Sequence, residues 1–126
     1  MTTQQAKERI LIATFLGMQK TDIGWYDFNE LLECDYEQVG GNTFDIGQLN
    51  FDTDWNLLMV VVDEIESYPM YPVTENVFCV KIGPTNYCTI FDAFGEKTEI
   101  IGNQLSRIES VYQACLEFIK RVEDDK

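Results

Sequence analysis

The chain has 126 residues, 45% of them hydrophobic and 13% aromatic, enough for one domain around a single core and too apolar for a disordered chain. Nine basic residues against 22 acidic ones give a net charge of −13, which excludes the basic face that nucleic acid or an anionic membrane requires. Histidine is absent, which removes the usual general base at neutral pH and the commonest transition-metal ligand.

Four cysteines, Cys34, Cys79, Cys88 and Cys115, form no CxxC pair and no zinc spacing. They read as reduced thiols serving as small hydrophobes, as in a cytoplasmic protein. The stretch Met1 to Arg9 is polar and charged. The apolar run after it, Ile10 to Met18, is too short to span a membrane and has no signal-peptide cleavage pattern.

Thr3 is placed to cap a first helix that runs to about Met18. Ala6, Ile10 and Ala13, with Leu11, Phe15 and Met18 offset from them, form its apolar side. Gly17 and the polar Lys20-Thr21-Asp22 end it. Residues 22–50 are the least regular part of the chain. Trp25-Tyr26 suggests a short strand, and Gly40-Gly41-Asn42 and Gly47 are turn signals. Phe28, Leu31, Leu32 and Phe44 predict that this segment folds over the core.

Residues 52–66 predict a second helix. Asp52 or Thr53 is its expected N-cap, and Asp54 lies near the positive end of its dipole. Trp55, Leu58, Met59, Val62 and Ile65 fall on one stripe, which Leu57, Val60 and Val61 widen around most of the circumference. A helix apolar nearly all round must be covered on several sides, so this one is expected to be central. The run Val60-Val61-Val62 also suits a strand. The cap, the length and the closing acids Asp63, Glu64 and Glu66 favour helix.

Ser67-Tyr68-Pro69-Met70-Tyr71-Pro72 reads as a stiff, extended connector. Val77 to Ile82 and Tyr87 to Phe91 then flank Gly83-Pro84-Thr85-Asn86, the pattern of a hairpin. If Ile82 pairs with Tyr87, one face carries Phe78, Val80, Ile82, Tyr87, Thr89 and Phe91. The other carries Val77, Cys79, Lys81, Cys88 and Ile90. Both faces are partly apolar, so both need cover. A third strand, Lys97 to Ile101, follows the turn residues Phe94-Gly95-Glu96. The closing helix starts with a capping box, Ser106 as N-cap and Glu109 three residues on. Ile108, Val111, Tyr112, Cys115, Phe118, Ile119 and Val122 repeat at helical spacing, and Glu123 to Lys126 reads as a frayed tail.

The order is helix, irregular segment, helix, three-stranded antiparallel meander, helix. It predicts a single α+β domain over residues 1–126, built as a three-layer alpha-beta-alpha sandwich. Two stretches carry a resemblance. They are Phe51-Asp52-Thr53-Asp54-Trp55-Asn56-Leu57-Leu58-Met59-Val60-Val61-Val62-Asp63-Glu64-Ile65 and Ile108-Glu109-Ser110-Val111-Tyr112-Gln113-Ala114-Cys115-Leu116-Glu117-Phe118-Ile119-Lys120. They resemble the helix start and the closing helix of the phage ABA sandwich family, small proteins of bacteriophages and prophages. Leu16-Gly17-Met18 and Gly24-Trp25-Tyr26 look similar more weakly. The resemblance implies an alpha-beta-alpha sandwich in a bacterial host cell and no catalytic residue. A helix, three strands and a helix also make up a double-stranded RNA-binding domain. Its last helix opens with a lysine cluster, whereas Gln104-Leu105-Ser106-Arg107-Ile108-Glu109 holds one basic residue, and RNA binding is rejected.

Asp52-Thr53-Asp54 has the form of a metal-binding Asp-x-Asp, but it stands where a helix cap is needed, and no metal site is expected. Cys115 and Arg121 have the spacing of a phosphatase loop without its glycine or histidine. Gly40-Gly41-Asn42 is followed by no Gly-Lys-Ser/Thr and is not a phosphate loop. Cys79 and Cys88 are expected on one hairpin face. Trp25, Tyr26, Tyr68 and Tyr71 are the candidate ligand- or partner-binding residues, together with Tyr36 in the irregular segment. Loop aromatics stack on flat ligands or anchor partners, or else plug the ends of a sandwich.

The expected function is that of a non-enzymatic protein-interaction module without a cofactor, which binds a protein partner or self-associates. The alternative is a small-molecule binder that sequesters a nucleotide-like compound. That reading needs a local basic pocket drawn from Lys20, Lys81, Lys97 or Arg107. An enzyme would have to rest on carboxylates and a metal.

Overall fold

The computed structural model describes residues 2–27, 31–32, 43–67, 69–70, 73–76, 78–83, 86–92, 100–102 and 106–124, with backbone alone at 69–70, 73–76, 92 and 100. Among them the protein is a mixed α+β fold. It has three helices, two small antiparallel three-stranded sheets and a two-stranded ribbon.

Helix α1 is Thr3–Phe15, and its cap is Thr2 rather than Thr3. The Thr2 hydroxyl accepts from the Gln5 N–H at 3.1 Å, and the Thr2 N–H donates to the Gln5 side chain at 2.9 Å. The box closes one residue early because Gln5 stands three residues after Thr2. The helix stops at Phe15, short of Met18. Gly17 takes φ +80, a conformation that suits glycine, and lets the Met18 N–H reach back to the Ala13 carbonyl at 3.0 Å. Its inward side is Arg9, Ile12 and Ala13, not the expected Ala6–Ile10–Ala13 row, and Ile10 is exposed.

The first sheet joins β1 (Gln19–Thr21), β2 (Gly24–Tyr26) and β3 (Thr43–Phe44), so the Trp25-Tyr26 strand is present. Gly24 has φ +144, and a Cβ there would meet the Phe44 carbonyl oxygen at 2.7 Å. Only glycine fits this tight β1–β2 turn against β3. The sheet is followed by a 3₁₀ turn, Ile46–Gln48, and the buried Leu49 and Phe51.

Helix α2 is Trp55–Glu66. Its cap is Asp54, not Asp52 or Thr53. The Asp54 carboxylate accepts from the N–H groups of Asn56 at 2.9 Å and Leu57 at 3.4 Å. Leu58, Val61, Val62 and Ile65 are buried, while Trp55 and Met59 are exposed. Helix α2 packs against the Phe78–Ile82 strand of the second three-stranded sheet and against the last helix, which touches more of the fold, so α2 is not its centre. The ribbon of β4 (Pro69–Met70) and β5 (Val73–Asn76) follows, where an extended connector was expected over 67–72.

The second sheet is the predicted meander, in the order β6 (Phe78–Ile82), β7 (Cys88–Asp92), β8 (Ile100–Gly102). Of the third strand expected over Lys97 to Ile101, residues 97–99 lie outside the described residues. Ile82 pairs with Cys88, not with Tyr87. The Gly83 N–H donates to the Tyr87 carbonyl at 2.7 Å, which leaves Tyr87 inside the loop. This one-residue slip turns every β7 side chain to the opposite face. Phe78, Val80 and Ile82 therefore share a face with Cys88 and Ile90, and Cys79 and Lys81 share the other with Thr89 and Phe91. Cys79 and Cys88 stand on opposite faces, not on the one face expected from the sequence.

Helix α3, Arg107–Asp124, is the centre. The Ser106 hydroxyl accepts from the Glu109 N–H at 3.2 Å, as the capping pattern predicts. Glu123 and Asp124, expected in a frayed tail, belong to the helix. Val111, Ala114, Cys115, Phe118 and Ile119 are buried, and the helix touches α1, α2, β7 and β8. Phe118 meets Phe78 and Phe15 edge-on, with ring centroids 4.8 and 6.3 Å apart. Gly102 lies so close to α3 that a Cβ there would fall on the Ser110 carbonyl oxygen.

Candidate functional site

The β6–β7–β8 sheet has two unlike faces. On the inner one Cys88 and Ile90 are fully buried. The outer one carries Cys79 and Lys81 of β6, Phe91 and Thr89 of β7 and Ile101 of β8. Cys79 lies opposite Phe91 and Thr89 opposite Ile101, so these side chains form one patch. Phe91 is 36% exposed and Ile101 49%.

A second apolar surface lies on α2. Trp55 and Met59, four residues apart, form a stripe at 39% and 38% exposure. Asp63 continues the stripe by one more turn, and Asn56 is exposed beside it. The Glu66 carboxylate accepts from the Val80 N–H at 3.3 Å and so occupies a group on the free edge of β6.

Of the candidate aromatics, Trp25 is a core residue, and Lys20 lies over its ring at 5.8 Å. Tyr26 is exposed. Consecutive strand residues point to opposite faces, so Trp25 and Tyr26 do not form two walls of one slot. Tyr68, Tyr71, Tyr36, Cys34 and Lys97 lie outside the described residues. The other basic candidates stand on separate elements: Lys20 on β1, Lys81 on β6 and Arg107 at the start of α3.

The Asp52-x-Asp54 pair divides between two tasks. Asp54 caps α2, and Asp52 stands 3.6 Å from the Arg9 guanidinium. Among the described residues no three acidic or cysteine side chains gather as a metal site.

Sequence spacing did not single out Arg9. It is buried on α1, and its guanidinium donates to the Ile46 carbonyl at 3.1 Å and the Gly47 carbonyl at 3.5 Å. The gap to Asp52 is too long for a hydrogen bond, so that pair is held by charge. Next to Arg9 on the chain, Glu8 accepts from the Tyr112 hydroxyl at 2.7 Å. Burial, and then the Glu8 carboxylate, push the Tyr112 pKa well above the usual phenol range. The group ties α1 to the 3₁₀ turn, to the approach to α2 and to α3. Asp27 was also unforeseen. It is buried, and its carboxylate accepts from the N–H groups of Leu31 at 3.1 Å and Leu32 at 2.7 Å.

The inner thiols are inert. Burial raises the Cys88 thiol to about 11 and pushes Cys115 further up, with the neighbouring Cys88 adding to the effect. Neither supplies a thiolate at neutral pH, and a thiolate is the reactive form. Cys79, Cys88 and Cys115 are all free. No described helix is long and apolar enough to cross a membrane. In comparisons with known proteins, no family model, no curated protein and no solved structure matches the chain, so the likeness to the phage sandwich proteins rests on the sequence stretches quoted above.

Proposed function

We propose that the protein is a non-enzymatic protein-interaction module, a phage-type protein working in the cytoplasm of a bacterial host. One observation carries this reading: the outer face of the β6–β7–β8 sheet, where Phe91 and Ile101 remain exposed while Cys88 and Ile90 on the inner face are fully buried. A sheet with two apolar faces is stable in water when both are covered. Helices α2 and α3 supply one layer. An apolar element of another chain laid on the outer face supplies the third layer of an alpha-beta-alpha sandwich. The free thiols support a reducing compartment.

The test is native mass spectrometry of the protein purified from a bacterial host without a denaturing step. The expected result is a complex, with a second copy or a different protein, that Phe91→Ser and Ile101→Ser both weaken. A monomer that carries nothing, with identical spectra for both variants, overturns the reading.

A further inference from the structure

The charge of this chain is divided unevenly along its length. Residues 21–80 hold 13 of the 22 carboxylates and not one lysine or arginine. The other 66 residues hold nine acidic and nine basic residues. The whole net charge of −13 therefore belongs to the segment that contains α2.

Within that segment α2 presents an apolar stripe to solvent. Trp55 and Met59 are its anchors, and the exposed carboxylates of Asp54 and Asp63 stand at its two ends. Glu64 lies next to Asp63. Burial, and then repulsion from Asp63, raise its pKa above the usual carboxylate value, and it points away from the Trp55–Met59 stripe. An exposed tryptophan face between carboxylates attracts a lysine or arginine side chain twice over, through its ring and through its acidic neighbours. Tryptophan and methionine together also suit an adaptable apolar contact.

We infer that the Trp55–Met59 face of α2 docks a basic amphipathic segment of a partner protein, apolar residues on the stripe and lysines or arginines on Asp54 and Asp63. This rests on the interaction-module reading but uses a surface separate from the outer sheet face. Two copies of this chain would not meet here, because each would bring the same carboxylates. The mode is that of a helix lying against a helix face, with charge guiding the approach.

The chain contains two tryptophans, and Trp25 is buried, so emission that responds to an added peptide reports Trp55. The probe is a synthetic lysine–leucine peptide with leucines at helical spacing. A second peptide of equal charge has its leucines replaced by serine. The expected result is a saturable emission change with the first peptide, an affinity at least about tenfold lower with the second, and weakening as salt rises. Binding to Asp63→Lys, followed by the same emission, should fall about tenfold or more. Binding to Trp55→Ala, followed by calorimetry with circular dichroism as the check on folding, should fall likewise. Equal affinity for both peptides, or binding that neither variant changes, means bulk charge attraction and overturns the inference. No saturable binding overturns it as well. In either case a complex that Phe91→Ser disrupts would leave the interaction-module reading standing.

Discussion

Helices α2 and α3 are both rich in apolar residues and place them differently. In α3, Val111, Ala114, Cys115, Phe118 and Ile119 are all buried against neighbours that surround much of the axis. In α2, Leu58, Val61, Val62 and Ile65 are buried, but Trp55 and Met59 stand in solvent. The position of an apolar residue around the axis, more than the number of such residues, determines which helix the others pack on. An apolar side chain that the core does not take is available for a partner, and α2 carries two of them on one stripe.

The largest effect expected from this contrast is loss of the fold at alkaline pH. Cys88 and Cys115 keep their protons when folded, as does Tyr112 of α3, because burial raises all three pKa values. Their contribution to stability is complete below the ordinary thiol pKa of about 8.5 and is lost as pH rises through the folded values, beginning with Cys88 near 11. Urea melts across that range should show a midpoint that is level near neutrality and falls steadily above pH 9. A level midpoint up to pH 11 would mean that these groups are not buried.

Phe118→Ala comes next, at about 3–5 kcal/mol in urea denaturation, because it empties a site enclosed by Phe15 and Phe78. Gly102→Ala should cost about 1–3 kcal/mol, since its methyl group falls on the Ser110 carbonyl, and the melting temperature reads it directly. Asp54→Ala should cost about 1 kcal/mol through the lost cap of α2. Met59→Ala should stay within about 0.5 kcal/mol, as at an ordinary surface position. If Met59→Ala destabilised the fold as much as Phe118→Ala, the distinction between the two helices would fail.

The elements themselves were legible in the sequence because local chemistry encodes them. The capping pattern at Ser106 and Glu109, the hairpin around Gly83 and the strand at Trp25-Tyr26 all use near neighbours. The misread parts depend on distant neighbours or on backbone groups that a sequence pattern does not display. Hydropathy alone made α2 the centre, since nothing local indicates that Trp55 and Met59 meet solvent. The hairpin register turned on a single loop hydrogen bond, from the Gly83 N–H to the Tyr87 carbonyl, and a slip by one residue exchanges two faces that are both half apolar. Arg9 and Asp27 escaped notice because their partners are backbone groups, which a sequence pattern does not display. The candidate aromatics were selected for lying in irregular segments, and that criterion does not separate a core residue such as Trp25 from a surface one such as Tyr26. The exposed outer sheet face was hidden by the register error, which had placed Phe91 beside Phe78 and Val80.

The β2–β3 ladder has one further consequence, for how such a chain varies between lineages. Trp25 pairs with Phe44 and Tyr26 with Thr43, so the two strands that flank residues 27–42 stand side by side. The entropy of closing a loop grows only with the logarithm of its length, about 0.6 kcal/mol per doubling. Added residues beyond Leu32 are therefore expected to cost folding little, provided that the ladder, Asp27, Leu31 and the buried Leu32 are kept. Length differences among homologues should accumulate between those two strands before they appear anywhere in α3.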